Sequence, residues 1–238
     1  MRRLLLFDVD GTLVSGGPGK RAFLHAFKAV LGRAMPLEDL DFSGKTDLQI
    51  VRELTHRDGL SPQQVDEALP RLWSRYLAEL ENLIGDDPPR RRPGVARLLD
   101  EVERRGEAAL GLVTGNLADG ARLKLGAVGL ADRFPVGAYG GDHEERDLLP
   151  SLAAERAARH WGRTFEPRTV VVIGDTPRDI RCARAHGARS VAVATGRFSA
   201  AELEREGPDH VLEDFRDTSN ALLALGEGNM DRSSGDGG

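Results

Sequence analysis

The segment Leu4-Leu5-Leu6-Phe7 is apolar without alternation and stops abruptly at Asp8. A short, continuous apolar run suits a strand buried on both faces of a parallel sheet, because each face must then be covered by helices. Three more runs follow the same form: Ala108 to Val113, Thr169 to Ile173 and Ser190 to Ala194. Two of the four lead straight into polar, glycine-containing turns, Thr114-Gly115-Asn116 and Gly174-Asp175-Thr176. Helical patterns lie between the runs. Val95, Leu98, Leu99 and Val102 recur at helical spacing, and Gly106 stands where a C-terminal cap belongs. Leu148 to Trp161 is alanine-rich, and Pro177 sits at the first turn of a segment that turns Ile180 and Ala183 inward. Alternating strands and helices imply an open α/β sheet with right-handed crossovers.

Between about Ser15 and Pro93 the pattern changes. No clear strands are visible there, and three helical segments are expected: about Lys20–Leu31, Asp47–Arg57 and Pro62–Leu83. Asp86 to Pro93, rich in proline and arginine, reads as a stiff polar linker. The expected organisation is an α/β core from residues 1–14 and 94–226, with 15–93 as a helical insert and its linkers. Residues 227–238 are rich in Gly, Ser and Asp and are expected to be disordered.

The chain has 238 residues, 40% of them hydrophobic, and a formal net charge of -5. Its arginines are dispersed, which argues against a nucleic-acid surface. The one cysteine, Cys182, excludes an internal disulfide, makes a Cys-rich zinc site unexpected and suits a reducing compartment. It is read as a small core residue. The apolar run after Arg2-Arg3 is too short for a signal peptide, and no stretch approaches the ~20 apolar residues of a membrane span. A cytoplasmic protein, monomeric or homodimeric, with no membrane partner is expected.

Ligands of open α/β sheets bind outside the carboxyl ends of the strands. There the turns carrying Asp8 and Asp10, Thr114 to Asn116, and Asp175 with Asp179 should converge. Four gathered carboxylates repel one another unless a cation or proton compensates. An oxygen-rich site of this kind suits Mg²⁺. Such a site attracts phosphate, which Thr114 and turn N–H groups can hold. A carboxylate can then act as nucleophile, and a second one two residues on can act as acid and base.

Taken together, Asp8-Val9-Asp10-Gly11-Thr12-Leu13, Thr114-Gly115-Asn116 and Gly174-Asp175-Thr176-Pro177-Arg178-Asp179 resemble the motifs of the haloacid dehalogenase superfamily of hydrolases, of the phosphoglycolate phosphatase-like kind. The resemblance extends to about residue 225. It implies a Rossmann-like, three-layer α/β/α core with a helical cap inserted after the first motif. It implies Asp8 as nucleophile and metal ligand, and Asp10 as general acid/base offering its backbone carbonyl to the metal. Thr114 and Gly115 would hold the phosphoryl group, Asn116 would add a hydrogen bond, and Asp175 and Asp179 would support Mg²⁺. In the insert, Gly44-Lys45-Thr46-Asp47 resembles a cap loop aimed at the active site, which would bring Lys45 to the substrate's far end; it equally fits a helix start capped by Thr46 or Asp47.

One motif departs from the family. A lysine is usual between the second and last motifs, yet no lysine lies between Gly126 and Asp175. Arg146 is the candidate for that cation and Lys124 the alternative. Arginine supplies the charge with a planar fork instead of a point. The implied activity is Mg²⁺-dependent hydrolysis of a small phosphorylated metabolite through an aspartyl-phosphate. A phosphosugar mutase and a non-catalytic binding member use the same residues and stay open. A dehalogenase has no leaving oxygen to protonate, so Asp10 speaks against it. Asp10 likewise favours an ester over a phosphonate substrate. A receiver domain is about half this length and lacks the insert.

Overall fold

The computed structural model describes residues 1–32, 41–57 and 59–226; the expected tail at 227–238 lies outside them. The chain opens with β1 (Arg3–Phe7) and β2 (Val14–Ser15), then runs through helices α1 (Gly19–Leu31), α2 (Asp47–Arg57) and α3 (Pro62–Ile84). It returns through β3 (Arg90–Arg91), α4 (Val95–Arg105), β4 (Ala108–Val113), α5 (Ala118–Gly126) and β5 (Val136–Ala138). It continues with α6 (Leu149–Trp161), β6 (Val170–Gly174), α7 (Pro177–His186) and β7 (Arg189–Val193). The last elements are α8 (Ala200–Glu204), β8 (His210–Leu212) and α9 (Thr218–Ala224).

Six strands form one parallel sheet in the order β5-β4-β1-β6-β7-β8. The four apolar runs are its β4, β1, β6 and β7, with the last two displaced by one residue from their expected limits. Side chains alternate across the sheet as the pleat requires. Leu5, Phe7, Leu110, Leu112, Val171 and Ile173 pack on one face with Val95, Leu98 and Leu99 of α4. Leu4, Leu6, Ala109, Val170 and Val172 pack on the other with Ala153 and Ala157 of α6 and Cys182 and Ala183 of α7. Both faces are therefore dry, and the core is a three-layer, Rossmann-like α/β/α arrangement. The helix punctuation also holds: Gly106 ends α4 in the left-handed conformation, and Pro177 opens α7.

The helical insert has its own apolar core. Phe23 and Phe27 of α1 meet Leu54 of α2 and Leu72, Tyr76 and Leu80 of α3. Ser61 and Gln64 form a capping box at the start of α3. The expectation of no strands between Ser15 and Pro93, with a plain linker at its end, needs correction. Val14–Ser15 and Arg90–Arg91 pair as a short antiparallel ribbon where the chain leaves and re-enters the core. Arg90 and Arg91 are exposed, so no apolar pattern marks this ribbon in the sequence. The edge strands β5 and β8 are three residues each, too short for periodicity to reveal. Among the described residues, no helix is long and apolar enough to cross a membrane.

Candidate active site

Strand register creates the site. Phe7 lies opposite Leu112 of β4 and Ile173 of β6. The residues just beyond, Asp8, Thr114 and Asp175, therefore emerge together at the carboxyl edge of three adjacent strands. They line a cavity of about 560 Å³ shared with Asp10, Gly115, Asn116, Lys45, Lys124 and Arg146. Asp179 stands behind it in the first turn of α7, almost fully buried.

Oxygens of Asp8, Asp175 and Asp179 lie within 4.8 Å of one another. Among the described residues, one cation touches this trio. The Arg146 guanidinium places Nη2 3.0 Å from Asp8 Oδ1 and 2.5 Å from Asp179 Oδ1. The same nitrogen donates to the Val113 carbonyl at 3.4 Å, and Nη1 donates to the Gly44 carbonyl at 3.3 Å. Burial pushes the Asp8 carboxyl up to about 6 against the opposing pull of Arg146, with the charges of Asp179 and Asp10 adding to the rise. Asp175 rises to about 8, first through burial and then through the charges of Asp8 and Asp179. Thr12 donates its hydroxyl to Asp175 at 3.2 Å and offsets part of this. Three buried carboxylates against one guanidinium leave negative charge uncompensated. That excess, made entirely of hard oxygen donors, fits a divalent cation such as Mg²⁺.

Asp179 has a second commitment. Its Oδ2 accepts from the Thr176 backbone N–H at 3.0 Å and from the Thr176 hydroxyl at 2.8 Å. It thus caps α7 and still presents Oδ1 to Arg146.

Asp10 points away from this trio. Its Oδ2 accepts from Lys124 Nζ at 2.6 Å and from Asn116 Nδ2 at 2.8 Å. Lys124 also donates to Asn116 Oδ1 at 2.6 Å, and Asn116 Nδ2 donates to the Thr114 hydroxyl oxygen at 2.8 Å. The two cations therefore do not compete for one place: Arg146 faces Asp8, and Lys124 faces Asp10.

The loop Gly44 to Asp47 does reach the site. The Lys45 carbonyl packs so closely on Gly115 that a Cβ there would lie 2.0 Å from its oxygen. The Lys45 ammonium is paired with Glu53 of α2. Thr46 caps α2 through Gln49 N–H at 3.1 Å and donates its hydroxyl to the Glu144 carbonyl at 2.7 Å. Asp47 is buried and accepts from Leu117 N–H at 2.9 Å. Burial raises its pKa to about 6, opposed by the nearby charge of Lys124.

Three contributors escaped the sequence reading. Thr195 donates to the Gly11 carbonyl at 2.7 Å, Arg92 donates to the same carbonyl at 3.2 Å, and Gly196 lines the cavity. Thr195 and Gly196 follow β7 in a turn without an acid to mark it. Tyr76 of α3 packs edge-on against Phe23 at 5.8 Å and also lines the cavity.

A family model of HAD-hydrolase-like proteins matches residues 149–218. The phosphoglycolate phosphatase of Synechococcus elongatus is 30% identical over 93% of this chain and 97% of its own. That of Xylella fastidiosa is 32% identical over 82% of this chain and 81% of its own. The fold is shared with CbbY from Rhodobacter sphaeroides, solved in complex with phosphate: TM-score 0.71, 23% identity, covering 95% of this chain and 100% of that one. The chain thus belongs to the haloacid dehalogenase superfamily of hydrolases, among its phosphoglycolate phosphatase-like members, and is a phosphatase of that type.

Proposed function

We propose that this phosphatase is Mg²⁺-dependent and cleaves a small phosphomonoester through an aspartyl-phosphate on Asp8, with 2-phosphoglycolate as the first candidate substrate. The observation that carries the reading is the meeting of Asp8, Asp175 and Asp179 within 4.8 Å at the strand ends, with Asp10 beside them on a separate cation. The named substrate comes from the relatives. In this reading residues 15–93 form the cap, and 1–14 with 94–226 form the hydrolase core. Cys182, free and buried, is consistent with a reducing, cytoplasmic setting.

Asp8, Asp175 and Asp179, with the Asp10 carbonyl, would hold Mg²⁺. When bound, the ion neutralises charge between the nucleophile and the phosphoryl oxygens. Thr114 and the Gly115 N–H hold the phosphoryl group, and Arg146 keeps Asp8 oriented while spreading its positive charge towards the transferring group. Asp8 attacks phosphorus, and the bond to the leaving oxygen breaks as Asp10 gives that oxygen a proton. Asp10 then takes a proton from water, which attacks the phosphoaspartate and releases phosphate.

Turnover of 2-phosphoglycolate and of an aryl phosphate should require Mg²⁺, and Asp8→Asn should lower kcat at least about a thousandfold. Full activity in excess chelator, or an active Asp8→Asn protein, would sink the mechanism.

A further inference from the structure

The Asp10 carboxylate stands apart from the acid trio, at one end of a continuous chain of hydrogen bonds. Lys124 Nζ donates to Asp10 Oδ2 and to Asn116 Oδ1, each at 2.6 Å. Asn116 Nδ2 donates to Asp10 Oδ2 and to the Thr114 hydroxyl oxygen, each at 2.8 Å. The Asn116 backbone N–H reaches that same hydroxyl oxygen at 3.4 Å. Lys124, Asn116 and Thr114 are all buried, whereas the Asp10 side chain keeps 45% of its exposure. Lys124 comes from α5 of the core, and the start of α1 in the insert closes over it. A Cβ on Gly19 would stand 3.1 Å from both Lys124 Cε and Nζ, so only a residue without a side chain fits so near the ammonium.

The chain has a direction, and Lys124 sets it. An ammonium can only donate. Its bond to Asn116 therefore requires the amide oxygen to face Lys124 and the amide NH₂ to face Asp10 and Thr114. With N–H groups aimed at it, the Thr114 oxygen is an acceptor in this chain, and its own hydrogen is left to point elsewhere. Thr114 lines the cavity, so that hydrogen is available to a phosphoryl oxygen. An amide turned over would set its oxygen against the Asp10 carboxylate, acceptor against acceptor. It would also draw the Thr114 hydrogen to itself. Without the ammonium nothing in the chain forbids that turn, because Asp10 and Thr114 can each be met in other ways. Buried networks of this kind hold their members firmly only while every bond is made.

We propose that Lys124 is a positioning residue for the reaction: it fixes the aim of the Asp10 carboxyl and, through the Asn116 amide, keeps the Thr114 hydroxyl free to donate. The proposal rests on the phosphatase reading for the role of Asp10 as general acid. Lys124 acts through its neighbours and not on the reacting atoms. Replacing it by an apolar residue of similar length leaves Asp10 half-exposed in the cavity and not as an unpaired charge in a dry core, so the loss is one of aim and not of fold. That loss should grow with the leaving group's need for a proton.

The test compares phenyl phosphate, whose leaving oxygen calls for a proton, with 2,4-dinitrophenyl phosphate, whose leaving group departs as a stable anion. The ratio kcat/KM covers the steps up to the phosphoenzyme, so the hydrolysis that both esters share does not mask the difference. Lys124→Met should lower kcat/KM about a hundredfold on phenyl phosphate and about tenfold or less on the dinitrophenyl ester, so that the two esters separate by about a further tenfold. Lys124→Gln, which keeps a donor but not the charge, should recover part of that separation, and it gives the reading should the Met variant not fold. In the Asp10→Asn background Lys124→Met should change the separation by less than about twofold, because it acts through Asp10. Equal falls on both esters, or a full effect of Lys124→Met in the absence of the Asp10 carboxylate, would overturn the proposal. Wild-type protein inactive on both esters would count instead against the phosphatase reading. The side-chain amide resonance of Asn116, followed by NMR, tests Lys124 in either case: sharp in the wild-type protein, shifted and broadened by exchange in Lys124→Met. A resonance unchanged by that substitution would overturn the positioning role on its own.

Discussion

Arg146 is the cation that meets both Asp8 and Asp179, and its geometry shows how one side chain serves two carboxylates. An ammonium is a point charge and can sit against one or two carboxylates. The guanidinium fork bonds Asp8 and Asp179 from Nη2 and also reaches two carbonyls, one of them the Gly44 carbonyl at the edge of the helical cap. Arg146→Ala would leave two buried carboxylates facing each other. It is expected to lower kcat on an aryl phosphate by about a hundredfold or more, with Arg146→Lys recovering part of the loss because charge returns without the fork. Steady-state kinetics of the two variants tests this; equal rates in both would mean that charge at this position is irrelevant.

Among the elements, the contact that matters most is between the cap loop Gly44 to Asp47 and the turn after β4. Asp47 N–H donates to the Gly115 carbonyl at 2.7 Å, and the Asp47 carboxylate receives Leu117 N–H. Arg52 of α2 adds an ion pair to Glu144 at 3.0 Å. Gly115 permits this approach because it has no Cβ to meet the Lys45 carbonyl. Gly115→Ala must displace one backbone from the other, and shifts near 1 Å in positioning groups can cost about a hundredfold in rate. The expected result is a comparable fall in kcat/KM with circular dichroism unchanged. Wild-type kinetics in that variant would show that the loop need not sit this close.

For the whole molecule, the gathered acids tie stability to pH and to metal. The Asp8 and Asp175 carboxyls are held at about 6 and about 8 in the folded protein. Both values lie above the ~3.9 of an unfolded aspartate. Their contribution is therefore fully present below that unfolded value and is lost as pH rises through the folded ones. Metal-free protein should show a falling Tm between about pH 5 and pH 8, and Mg²⁺ should raise Tm more at pH 8 than at pH 5, by about 5 °C or more. Thermal melts in chelator and in Mg²⁺ read this directly, and a metal-free Tm that climbs across the range would contradict it.

The sequence by itself determined the layered core. Runs such as Leu4 to Phe7 and Ala108 to Val113 are apolar on both faces, which is only sustainable between two layers of helix, and their abrupt polar ends mark the edge where ligands bind. Asp8, Thr114 and Asp175 were legible for that reason, as was the insert, where strand-like runs give way to helical spacing. The ribbon of Val14–Ser15 with Arg90–Arg91 was not legible, because pairing between segments so far apart in the chain leaves no local pattern. Tertiary structure alone decided how the charges are partnered. Nothing in the chain order says that Arg146 meets Asp8 while Lys124 meets Asp10, since each pair joins residues more than a hundred positions apart. The same holds for Tyr76 of α3, which only the fold brings to the wall of the cavity.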